Sequence, residues 1–102
     1  MGLLNRRSAA DSVEKLEKEM TIINRLGLHA RPAAMFVRVA SRHRCDIWVA
    51  KEGEEISGKS IMGLMMLAAG QGSKLHIRAE GPDAAQALQE IEQLIQSRFN
   101  ED

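Results

Sequence analysis

One stretch of the 102-residue chain combines a nucleophile, a cation and a turn: Gly27-Leu28-His29-Ala30-Arg31-Pro32. Proline is tolerated in the first turn of a helix, where amide hydrogens have no intrahelical partner, so Pro32 predicts a helix opening at His29. Such an end presents outward N–H groups and roughly half a positive charge, which suits an anion rich in acceptor oxygens. A phosphoryl group is that kind of anion. An uncharged ring nitrogen with a free lone pair can accept it, and Arg31, two residues on, can reach its oxygens during transfer. A nitrogen–phosphorus bond is labile, so the group can be passed on rather than kept. A lone histidine at a helix start is more often a capping or surface residue, and spacing alone leaves both readings open. The other two histidines read as surface groups: His43 in the basic run Arg42-His43-Arg44, His76 on the polar side of an alternating strand. Histidines this scattered, with no cysteine or carboxylate at ligand spacing, imply neither a metal site nor a cofactor.

The elements that would hold His29 follow from periodicity. Met20 and Ile22 alternate with Thr21 and Ile23, predicting a strand that ends at Leu26-Gly27. After Pro32, the residues Ala33, Phe36, Val37 and Ala40 make a buried helical stripe closed by the basic run at 42–44. Asp46 to Lys51 reads as a strand, Glu52-Gly53 as its turn, and the residues around Ile56 as a short return strand. Ser60 is positioned to cap a two-turn helix from Ile61 to Leu67, with Leu64 and Leu67 inward. Lys74 to Glu80 alternates cleanly, and Asp83 with Gln86 forms a capping pattern for a last helix whose stripe is Ala84, Leu88, Ile91 and Ile95. The order is β-α-β-β-α-β-α, which suggests a two-layer α+β sandwich with helices on one face of the sheet. Thr21, Trp48, His76 and Arg78 fall on its solvated face, with Trp48 assigned to cross-strand packing. Residues 1–18 are polar; Asp11 to Glu14 could cap a short helix bearing Val13, Leu16 and Met20, and we read 1–18 as an extension and 19–102 as the domain.

Composition removes several alternatives. Lysine plus arginine and aspartate plus glutamate both total 14, so nothing draws the chain to nucleic acid or anionic lipid. Aromatic residues are 3% with no tyrosine, too few to stack bases. The apolar run Ile61 to Ala69 is far too short to span a bilayer. The first fifteen residues lack a hydrophobic signal core, and Arg6 breaks the myristoylation pattern that Gly2 would begin. The lone Cys45 cannot form an internal disulfide and fits a reducing cytoplasm.

At three separate places the sequence resembles the HPr family, the histidine-containing phosphocarriers of the bacterial phosphoenolpyruvate-dependent phosphotransferase system. Gly27-Leu-His-Ala-Arg-Pro-Ala-Ala34 is similar to the family's active-centre motif. Lys59-Ser60-Ile-Met-Gly-Leu-Met65 is similar to its second signature, and the segment from Gly72 through Ile77 and Gly81 to the last helix is similar to its closing strand and helix. The resemblance covers about residues 19–100. It implies a four-stranded antiparallel sheet ordered 1-4-2-3. It implies that His29 is phosphorylated on Nδ1 by enzyme I, with phosphate drawn from phosphoenolpyruvate, and donates to enzyme IIA proteins while Arg31 steadies the phosphate. The chain would then be a carrier and co-substrate rather than a stand-alone enzyme, cytoplasmic and monomeric. Ser60 matches the serine that an HPr kinase/phosphorylase modifies in many members, and a transcriptional regulator joins the implied partners.

Ile61, Met62 and Met65 lie at helical spacing beyond Ser60 and are expected to form an apolar docking patch beside His29. Exposed methionines suit a surface that accepts several partners. A phosphate on Ser60 would place nearly two negative charges at the edge of that patch. Two related readings stay open: a nitrogen-branch carrier of the NPr kind, and a Crh-like regulatory module acting mainly through Ser60, a kind that lacks the histidine present here.

Overall fold

The computed structural model describes residues 14–101. Four strands and three α-helices alternate in them: β1 (Lys15–Thr21), α1 (Ala30–Ser41), β2 (Asp46–Lys51), β3 (Glu54–Ser57), α2 (Ile61–Met66), β4 (Lys74–Glu80) and α3 (Ala84–Gln96). A 3-10 turn, Arg98–Asn100, follows. The sheet is antiparallel throughout and ordered β1-β4-β2-β3. This is the expected α+β sandwich with the expected strand order.

Alternation decides which face is covered. Met20, Leu75, Ile77, Ala79, Ile47 and Val49 point to one side and are buried, and α1 and α3 close over them with Phe36, Ala40, Leu88, Ile91 and Ile95. Register links the inward residues across the sheet: Met20 opposite Leu75, Ile77 opposite Val49, Val49 opposite Ile56. The other face carries Glu17, Arg78, Trp48 and Ser57 in one cross-strand row. There the Arg78 guanidinium sits 5.8 Å from the Trp48 ring centroid and also bonds Glu55 at 2.9 Å. Trp48 is therefore held by cross-strand packing, in line with its sequence reading.

Two expectations need correction. The short helix expected to carry Leu16 and Met20 is instead strand β1, which starts at Lys15 and places residues 15–18 in the sheet; its cap residues Asp11 to Val13 lie outside the described residues. The strand was obscured because Lys18 occupies an inward register position opposite Ile77, breaking the apolar alternation. Its ammonium reaches out to Glu92 on α3, as a long charged side chain can do while its stem covers apolar surface. The second correction concerns Asp83. It stands at the N-cap of α3 but makes no cap bond there. Its carboxylate instead accepts the Arg44 and Cys45 amides, both at 2.9 Å, and ties the end of α1 to the start of α3.

Candidate functional site

The turn before α1 is built on Asn24 and Gly27. Gly27 has φ +71°, accessible to glycine at little cost, and its N–H donates to Asn24 O at 3.1 Å. A Cβ at Gly27 would lie 2.6 Å from Ala69 O and 2.7 Å from Gly70 Cα. The turn is thus pressed against the loop after α2, and the Leu28 N–H bonds Ala69 O at 2.8 Å. Leu28 is buried, which fixes the next residue at the helix threshold.

His29 is the N-cap of α1, with extended backbone (φ −81°, ψ −170°) and no side-chain cap bond. Its carbonyl accepts the Ala33 N–H at 2.9 Å, while its ring stays outside the helix. The first turn contains no acidic residue, so nothing within α1 neutralises its positive end. Pro32 is buried in that turn, consistent with its role in opening the helix. Arg31 is exposed and makes no hydrogen bond or ion pair among the described residues, which leaves its guanidinium available to an anion at this end.

The ring is not free on both sides. His29 Nε2 lies 3.1 Å from Glu101 Oε2, and the other carboxylate oxygen accepts Asn24 Nδ2 at 3.0 Å. Asn24 is fully buried and also donates to Gly27 O at 2.8 Å. The Asn24 amide holds the Glu101 carboxyl below the usual range against the opposing effect of burial, and His29 and Arg31 add to the lowering. An ionised carboxylate only accepts, so Nε2 carries the hydrogen in this contact, and Nδ1 is the nitrogen that holds the lone pair whenever the ring has a single hydrogen. Nδ1 makes no hydrogen bond among the described residues. Neither Asn24 nor Glu101 was singled out from sequence; Glu101 is 72 residues from the histidine it contacts.

Ser60 caps α2 as expected: its Oγ accepts the Gly63 N–H at 2.9 Å. On α2, Ile61, Met62 and Met65 are exposed by 43%, 72% and 45%, while Leu64 and Leu67 are buried. Met65 shares an open hollow of about 260 Å³ with His29, Leu28 and Ala69. Two further apolar residues, Leu26 at 67% and Met66 at 65%, belong to the same exposed set and escaped the sequence reading. A large apolar residue inside a turn and one at the end of a short amphipathic helix carry no periodic signal.

The remaining histidines are not brought to His29. His76 pairs with Glu17 on the open sheet face, as expected of a surface group. His43 does not fit its surface assignment: it is 7% exposed, with Nδ1 3.3 Å from Asp83 and Nε2 2.8 Å from Glu90. It lies beyond the other end of α1, about 18 Å along the helix at 1.5 Å per residue. No group of three metal-ligating side chains occurs among the described residues. No helix among them is long and apolar enough to cross a membrane.

Comparison with known proteins bears on this arrangement. A family profile described as the PTS HPr component phosphorylation site matches residues 16–97. The phosphocarrier protein HPr of Pseudomonas aeruginosa is 52% identical over 84 residues, 81% of this chain and 93% of the relative. Among solved structures, HPr of Thermoanaerobacter tengcongensis superposes with a TM-score of 0.83 at 44% identity, covering 85% of this chain and 98% of its own. Crh of Bacillus subtilis, described as a dimer with a swapped domain, gives 0.66 at 41% identity, covering 72% and 84%.

Proposed function

The chain belongs to the HPr family, the phosphocarrier component of the phosphotransferase system, and from that premise we propose that His29 Nδ1 is the atom that carries the phosphoryl group. The observation that supports this most directly is the engagement of Nε2 by Glu101, which leaves the Nδ1 lone pair at the uncapped start of α1. Enzyme I supplies the group, originally from phosphoenolpyruvate. Nδ1 forms a bond to phosphorus as the donor's bond to it breaks, and the electron pair of that bond leaves with the donor. The phosphate oxygens meet the N–H groups of the first helical turn and the Arg31 guanidinium, which stabilise their charge. The second transfer, to an enzyme IIA, runs the same exchange in the opposite sense, in the cytoplasm.

Ser60 serves as the regulatory position in this reading. Its Oγ lies at a helix start, where phosphate is favoured, and a kinase acting there would add charge at the margin of the Ile61, Met62 and Met65 surface. The deciding experiment incubates the protein with enzyme I and phosphoenolpyruvate and compares it with His29→Ala. An acid-labile phosphate on the wild type alone is the expected result; equal labelling of both proteins would exclude His29 as the acceptor.

A further inference from the structure

We propose that the groove between β1 and the end of α3 is the seat of the chain's own residues 3–7, which lie outside the described residues, with Leu3 and Leu4 on its apolar floor and Arg6 and Arg7 at Glu19. The transfer chemistry of His29 plays no part in this contact. The groove has a volume of about 360 Å³, with Met20, Ile23 and Ile95 on its floor and Glu19 and Glu92 among its lining residues. Met20 and Ile95 are buried, whereas Glu19 is exposed, so the carboxylates stand at the rim. Lys18 pairs with Glu92, and Glu19 has no ion pair among the described residues, which leaves the rim with a surplus of negative charge. The groove also follows an edge of the sheet, because β1 pairs with β4 and with no other strand. An uncovered edge invites a second chain to pair with it, and natural proteins commonly cover such edges with a segment of their own.

The preceding segment has the matching chemistry. Leu3 and Leu4 are followed by Arg6 and Arg7, the two cations of residues 1–13, so an apolar pair and a basic pair stand side by side as the floor and the rim do. Reach permits the contact. Strand β1 is about 20 Å long at the usual strand rise, and thirteen extended residues span about 43 Å. The segment can therefore turn back before Lys15 and bring its first half level with Thr21 and Ile23. The family match begins at residue 16, so these residues are additional to the stretch shared with other carriers. Tethering favours this occupant over a separate protein. A segment joined directly to β1 is held at an effective concentration in the millimolar range, so even a weak contact fills the groove. A free peptide of the same composition would have to be supplied at that concentration to compete.

Full-length protein with ¹³C-labelled leucine and isoleucine methyl groups tests the contact directly. Cross-relaxation from the Leu3 and Leu4 methyls to those of Ile23 and Ile95 is the expected result, and its absence overturns the proposal. In a mixture of labelled and unlabelled copies, isotope-filtered spectra should show no such contact between copies. Contacts between copies would make a second copy the occupant and overturn the assignment to the same chain. The charge match has its own test. Arg6→Glu with Arg7→Glu should weaken the cross-relaxation about threefold, the effect of one or two exposed ion pairs, and adding Glu19→Arg should restore it. Glu19 is exposed, so the sheet should survive this change, as its amide spectrum would verify. Undiminished cross-relaxation after arginine reversal, or no recovery with Glu19→Arg, overturns the pairing at the rim.

Discussion

Ser60 Oγ already has a structural task, because it accepts one of the amide hydrogens that α2 cannot satisfy internally. A helix of six residues depends strongly on its cap. Ser60→Ala should therefore lower stability by about 1 kcal/mol, read by urea denaturation. Ser60→Asp keeps an acceptor at the same position and adds a negative charge at a positive helix end, so it should hold stability near wild type. If modified Ser60 gates the carrier, Ser60→Asp should nevertheless slow phosphorylation of His29 by enzyme I, by about tenfold if the charge opposes docking with roughly 1.4 kcal/mol. Equal rates for wild type and Ser60→Asp would remove the gate and leave Ser60 as a cap alone. His29 and Arg31 were visible in the sequence because a histidine at a helix start that Pro32 announces, with an arginine two residues on, carries local chemistry. Asn24 and Glu101 were not, since their meaning comes from contacts made 77 and 72 residues away.

Both ends of α1 are tied down by different means, and each yields a test. At its start, Gly27 combines a positive φ with close approach to the Ala69 carbonyl. Gly27→Ala would meet both obstacles, so it should lose about 2 kcal/mol or more in denaturant unfolding and slow phosphoryl transfer by displacing His29. At its other end, burial would raise the Asp83 carboxyl, but hydrogen bonds from the Arg44 and Cys45 amides and the Cys45 thiol outweigh it and hold Asp83 well below the usual carboxylate range. The hydrogen bond from His43 likewise lowers Glu90 against its burial. Burial pushes the Cys45 thiol up to about 11, with Asp83 adding to the rise, so this cysteine stays a thiol at neutral pH. For the two carboxylates the folded values lie below the unfolded ones. Their stabilisation is thus full above about pH 4, the ordinary carboxylate value, and is lost as acid carries the protein down through the folded values. Asp83→Asn should cost about 2 kcal/mol at pH 7 and flatten the fall in stability below pH 4; an unchanged acid limb would show that Asp83 does not set it. The sequence displayed α1, β2, β4 and α3 through regular periods of 3.6 and 2. It misassigned β1 because Lys18 interrupts its inward row, and it gave Asp83 a cap role because a capping pattern cannot reveal that the carboxylate has better partners on another element.

Across the whole molecule, apolar surface is divided unequally. The inward face of the sheet is closed by α1 and α3, and the open face is covered by paired charges such as Arg78 with Glu55 and His76 with Glu17. The large hydrophobic side chains left exposed among the described residues are Leu26, Ile61, Met62, Met65 and Met66, all on the turn before His29 or on α2. A single exposed apolar side chain needs no explanation, but five on two neighbouring segments, with one of them lining a hollow at His29, fit a surface that other proteins cover. Flexible thioethers let one surface adapt to a donor and to several acceptors. Met62, 72% exposed, gives the cleanest test, because replacing it should leave stability within about 0.5 kcal/mol. Met62→Lys should raise the KM for enzyme I about tenfold, the effect of losing roughly 1.4 kcal/mol of docking, with kcat changed far less. Thr21→Lys adds the same charge at an exposed position on β1, on the solvated face of the sheet, and should leave KM unchanged. Equal effects from the two substitutions would mean that net charge rather than the α2 surface governs encounter. A tenfold separation between them would place recognition on the same side of the molecule as the His29 imidazole.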